Sequence, residues 1–227
     1  MGCTNIMRIT LMVCSTALLV TGLILTVVCA VFPGWHVVEI TENKQIHQHG
    51  LWMYCIKGGS LLGSPDPDDW NCDLKEPMDV HTQDSALGQH QPHERQHVLQ
   101  GWHRTVIILL AASFLMAVFS LLVSFCGFCN KWFTIGWAAG SLLALVFQAA
   151  AVAVFFINGH DYENLRITGH KGVYTQQKGY AFWCAVAAIA AYLGNFIFTV
   201  AVSILSFIHD RRTKQSGKTW PKHQTSV

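Results

Sequence analysis

Residues 9–32 read ITLMVCSTALLVTGLILTVVCAVF, and residues 106–129 read VIILLAASFLMAVFSLLVSFCGFC. Neither stretch contains an Asp, Glu, Lys or Arg, and each is long enough to cross hydrocarbon, which takes roughly 20 apolar residues at about 1.5 Å rise each. Two further charge-free stretches follow at 135–157 and 180–208. Lipid offers no hydrogen-bond partner for an open backbone, so stretches of this length cross as helices. The composition agrees. Of 227 residues, 52% are hydrophobic and only 12% are charged, against about a quarter charged in soluble domains. The mean hydropathy is +0.33.

The fold class expected is therefore a membrane all-α four-helix bundle. Its segments are a cytosolic N-terminus (1–8), a first span (9–32), a large outer loop (33–105), a second span (106–129), a short cytosolic link (130–134), a third span (135–157), a second outer loop (158–179), a fourth span (180–208) and a cytosolic tail (209–227). The first span is too long for the ~7–15-residue apolar core of a leader, and Phe32-Pro33-Gly34-Trp35 is a poor cleavage site. It is expected to be retained. Orientation follows from Lys and Arg in the short flanks: Arg8, Lys131, Arg211, Arg212, Lys214, Lys218 and Lys222 put the termini and the link in the cytosol. Residues 33–105 carry ten acids against five Lys or Arg.

Within the spans, Gly136 and Gly140 form a Gly-x-x-x-Gly pair suited to close helix approach inside the bundle. Gln148 and Asn195 are expected to hydrogen-bond between helices, since an ion pathway would call for charged or more numerous polar groups.

In the first outer loop, residues 35–41 partly alternate apolar and polar, as a strand does, and residues 50–55 make an aromatic-rich run suited to a second strand. Cys55 and Cys72 are the only cysteines placed outside the cell, and they bracket a Gly-, Ser-, Pro- and Asp-rich turn region. In an oxidising compartment such a pair is expected as a disulfide. Trp35, Trp52 and Trp70 read first as a small core of the loop, with partner contact as the alternative.

Trp35, then Gly50-Leu51-Trp52, then Cys55 and Cys72 resembles the Trp…Gly-Leu-Trp…Cys…Cys signature of the claudin superfamily, which includes claudins, peripheral myelin and epithelial membrane proteins and stargazin-like channel subunits. Leu99-Gln100 with Arg104 resembles an element that claudins place before their second span. The chain is identified on these residues as a divergent claudin-like member. The resemblance implies a left-handed bundle carrying a small extracellular antiparallel β-sheet, with Trp52 at the membrane surface. It also implies a multi-pass plasma-membrane protein at cell–cell junctions, forming a contact, a barrier or a selective paracellular path. The 178–182 run, Lys-Gly-Tyr-Ala-Phe, is closer to the myelin-protein and channel-subunit branches. An auxiliary subunit of an ion channel or receptor is the alternative.

Other candidates are smaller. Asp66, Asp68, Asp69 and Asp73 read as a hydrated turn or, in a barrier former, as carboxylates that favour cations. Asp73, directly after the second Cys, resembles a charge-selecting position of claudins. His90, His93 and His97 have helical spacing that suits zinc, but their Gln-rich, polar surroundings favour a solvated insertion, so no metal and no cofactor is expected. Cys126 and Cys129 fit reversible palmitoylation or plain packing. The ending Thr225-Ser226-Val227 fits a PDZ ligand, with Thr225 and Val227 as its anchors. The partners expected are membrane lipids, like or related tetraspan proteins in the same or opposing membrane, and a cytosolic PDZ scaffold. No nucleic-acid partner is expected. No Gly-x-Ser-x-Gly, P-loop or His-Glu-x-x-His occurs, so an enzyme is not expected.

Overall fold

A computed structural model describes residues 2–40, 45–57, 70–77, 98–99, 101–127, 132–160, 166–168 and 173–218. Four long helices organise it: α1 (Gly2–Val31), α2 (Gly101–Gly127), α3 (Trp132–Gly159) and α4 (Tyr180–Lys218). All four hold segments long and apolar enough to span a membrane, at Ile6–Val31, Gly101–Cys126, Trp132–Gly159 and Tyr180–Ile208. The chain is a multi-pass membrane protein.

The helices overrun the charge-free stretches because backbone hydrogen bonding continues after the apolar run has ended. Thus α2 begins at Gly101, α3 begins at Trp132 within the stretch read as a link, and α4 continues to Lys218. At the other end of α1, Pro33 disfavours helix in the residue before it, and the helix stops at Val31.

α1 packs most extensively on α4, and α2 on α3. Fully buried small polar side chains tie the four together. Ser15 of α1 donates to Asn195 Oδ1 of α4 at 2.7 Å, Asn195 Nδ2 donates to Ser141 Oγ of α3 at 2.9 Å, and Ser141 meets Ser120 of α2 at 3.0 Å. Nearer the sheet, Thr26 meets Tyr192 at 3.0 Å and Gln148 at 3.4 Å. Asn195 and Gln148 thus join helices, as their positions led us to expect. Gly140 is buried against α2, where an added Cβ would lie 3.2 Å from Ser120 Cβ.

A five-stranded antiparallel sheet sits at one end of the bundle, in the order β4 (Trp70–Leu74), β3 (Met53–Lys57), β2 (Gln45–His49), β1 (His36–Ile40), β9 (Gln177–Lys178). Four strands come from between α1 and α2, and the fifth from just before α4. Short β5 (Glu76–Pro77) and β6 (Val98–Leu99) pair in parallel and return the chain to α2, and β7 (Arg166–Thr168) pairs with β8 (Val173–Thr175).

The Gly-Leu-Trp run corrects one expectation. Residues 50–52 are not strand but the turn between β2 and β3, closed by Gly50 N–H donating to Met53 C=O at 2.8 Å. The turn abuts the end of α1 so closely that a Cβ on Gly50 would lie 2.7 Å from Pro33 Cα.

Candidate functional site

The candidate site is the junction between sheet and bundle. Trp35, leaving α1, is fully buried; its Nε1–H donates to Cys29 C=O at 2.6 Å, and its ring lies 4.5 Å from that of Phe155 and 6.5 Å from that of Phe182. Leu51 joins the same apolar cluster with Val106, Leu110 and Phe155. Backbone bonds complete the joint: Gly179 N–H donates to Trp35 C=O at 3.0 Å, and Ala181 N–H to Gly34 C=O at 2.8 Å. Residues just before α4 are thereby tied to residues just after α1, and β9 pairs with β1 in register His36↔Lys178.

The three loop tryptophans do not share one core. Trp35 is buried, whereas Trp52 is 41% exposed and Trp70 is 42% exposed. Trp52 instead lines an apolar groove of about 280 Å³ with Val27 and Val31 of α1 and Ile107 and Phe114 of α2. These neighbours lie on the segments long and apolar enough to span a membrane, so the indole packs against the sheet-side ends of α1 and α2. Trp70 lies on β4, whose five residues are all exposed.

Cys55 of β3 and Cys72 of β4 are directly opposed and joined as a disulfide. Asp73 is exposed beside it, accepting a 3.4 Å hydrogen bond from Tyr54 Oη. Arg104 is exposed on the first turn of α2, and Cys126 is exposed near that helix's other end. Asp66, Asp68, Asp69, His90, His93, His97, Cys129, Thr225 and Val227 lie outside the described residues. Among the described residues, no group of three or more His, Cys, Asp or Glu is placed to hold a metal ion.

Between sheet and bundle lies a basic cluster that sequence reading passed over. His36, His47, His49, Lys75 and His103 are all buried. The register brings them together: His36 opposes His49, and His47 and His49 share the inward face of β2. Lys75 is fixed by its own N–H donating to Trp52 C=O at 2.8 Å; its Nζ donates to Gly50 C=O at 2.8 Å and lies 3.2 Å from His103 Nε2. Among the described residues no carboxylate pairs with it. Burial lowers the Lys75 ammonium to about 8. Burial, reinforced by the positive charges of Lys75 and Lys178, lowers His36 to about 4. His36 stacks on Phe155 at 4.7 Å, and its buried Nδ1 has no partner among the described residues. The alternation His47-x-His49 was the available signal, since two polar residues two apart on a strand share a face.

Four spanning helices, a small disulfide-braced antiparallel sheet and a Gly-Leu-Trp turn buttressing the joint define a claudin-like tetraspan membrane protein. The chain belongs to the Clc-like family, which matches residues 9–211 and is a claudin-like family of tetraspan proteins, not a known family of enzymes. A comparison with curated proteins returned no match.

Proposed function

We propose that this protein is a claudin-like cell-junction component whose loop sheet makes contacts in the same or an opposing plasma membrane, building an adhesive contact, a barrier or a selective paracellular path. One observation carries the reading: a disulfide-braced sheet is seated rigidly on the bundle through Trp35 and Leu51, while its outermost strand β4 offers five exposed residues, Trp70 and Leu74 among them. Apolar side chains displayed on a rigid platform suit protein contact. In this reading the sheet is extracellular and both termini are cytosolic. The protein needs no cofactor and performs no catalysis. Thr225 and Val227 bind a PDZ scaffold, and Cys126 and Cys129 carry palmitoyl chains. Asp73, with Asp66, Asp68 and Asp69, favours cations along the path.

The test is expression of a tagged chain in epithelial cells that lack junction strands, read by imaging and transepithelial resistance. Enrichment at contacts with altered resistance supports the proposal. Uniform surface staining with unchanged resistance rejects it. That outcome favours the second reading, an auxiliary subunit of a channel or receptor, which draws support from Tyr180 and Trp183. Both are exposed on the first turn of α4, where an in-membrane partner would meet them.

A further inference from the structure

The basic cluster under the sheet has a property that its geometry dictates. A lysine ammonium has three donors and no acceptor. At 3.2 Å from Lys75 Nζ, His103 Nε2 must therefore offer a lone pair, which it has only while the ring is neutral with its proton on Nδ1. A second proton would turn that acceptor into a donor and leave two cations face to face in a buried site. We propose that the Lys75–His103 contact is an acid-released latch, and that protonation of His103, and of His36 behind it, parts the sheet from the bundle.

The surroundings add to the effect. Lys75 and Lys178 face His36, and Lys75, His36 and His49 face His103. His47 lies 6.4 Å from His49, ring to ring. Trp102 stacks on His103 at 3.6 Å and brings no charge. From α3 come Phe155, stacked on His36, and Gly159, at which an added Cβ would lie 2.8 Å from His36 Nε2. From α4 comes Phe182, and α1 offers the Cys29 carbonyl to Trp35. Arg104, His160, Glu39 and Asp73, which lie near these residues in sequence, are exposed. Among the described residues no carboxylate is set against Lys75, His36 or His103, so each proton taken up by either histidine opposes Lys75.

The latch joins the two halves of the fold. Lys75 follows the disulfide strand β4 and reaches back to the Gly50 carbonyl of the Gly-Leu-Trp turn, while His103 rides on the first turn of α2. Its release frees the sheet along the side facing α2 and leaves the Trp35 pin in place. Acidification of the compartment that the sheet faces would then loosen the presented surface without unfolding the bundle.

The test is hydrogen–deuterium exchange on the full chain in lipid nanodiscs at pH 7.5 and 5.5, corrected for intrinsic amide rates. The expected result is an increase of about a hundredfold in exchange of β2 and β3 at the lower pH, about tenfold from each of the two histidines, with the helices unchanged. His103→Gln retains an acceptor for Lys75 and cannot titrate, and it should cut the increase severalfold; combination with His36→Gln should abolish it. No increase in the wild type, or an undiminished increase in the double variant, overturns the proposal. If the His103 variants do not fold, Lys75→Gln decides: removal of the ammonium must weaken the acid response, and an unaltered response overturns the latch.

Discussion

The bundle interior and the sheet junction both bury polar groups, but of different kinds. In the bundle, Ser15, Asn195, Ser141 and Ser120 are neutral, and each finds a hydrogen-bond partner on another helix. At the junction the buried groups are bases, one of them an ammonium, and His36 Nδ1 has no partner among the described residues. Neutral, satisfied groups hold helices together in hydrocarbon whatever the proton concentration outside. Buried bases are stable only while most remain unprotonated. The contrast separates a scaffold that holds its shape from a joint that responds to conditions.

The largest effect should come from removing the joint's pin. Trp35→Ala deletes a fully buried indole and its bond to the Cys29 carbonyl, a loss of about 3–5 kcal/mol, measured by denaturant unfolding in detergent. Next is Cys55→Ser. The two cysteines are 17 residues apart, and the loop-entropy estimate for that length is about 3 kcal/mol; comparison of the variant's thermal unfolding with that of the disulfide-bonded wild type checks it.

A change of pH should act at the junction. His36 is lowered to about 4 in the docked state, against about 6.5 for a free histidine. The released state therefore binds more protons between these values, and its contribution is whole above pH 6.5 and falls as the pH drops towards 4. At pH 5 the loss is about 2 kcal/mol, and His36→Gln should flatten a plot of stability against pH over that window.

The smallest effect belongs to the bundle. Asn195→Ala breaks one node of a distributed network, for a loss of about 1 kcal/mol that does not vary between pH 7.5 and 5. A pH-dependent loss there would erase the distinction between the two regions.

What the sequence disclosed follows the same division. The spans were legible because charge-free runs of this length have few alternatives, and Asn195 and Gln148 stood out as the strongest polar groups within them. Cys55 and Cys72 paired because no other cysteines lay in the loop. The Gly-Leu-Trp run misled: its aromatic character suggested strand, while the close approach of Gly50 to Pro33 demands a turn. Trp52 and Trp70 were assigned to a core that only Trp35 enters. The pairing of β9 with β1 joins residues about 140 positions apart and leaves no local trace. The basic cluster escaped because Lys75 and His103 meet only when β4 and α2 converge, and a lysine in a polar loop reads as solvated.

The most direct test of the central claim, that sheet and bundle form one body pinned at Trp35, is hydrogen–deuterium exchange at neutral pH on wild type and Trp35→Ala with the Cys55–Cys72 disulfide intact. The account predicts slow exchange in β1, β2 and β3 of the wild type, lost in the variant while the spanning helices remain protected. A sheet that stays equally protected without Trp35 would show that it holds its shape independently of the bundle, and would contradict the account.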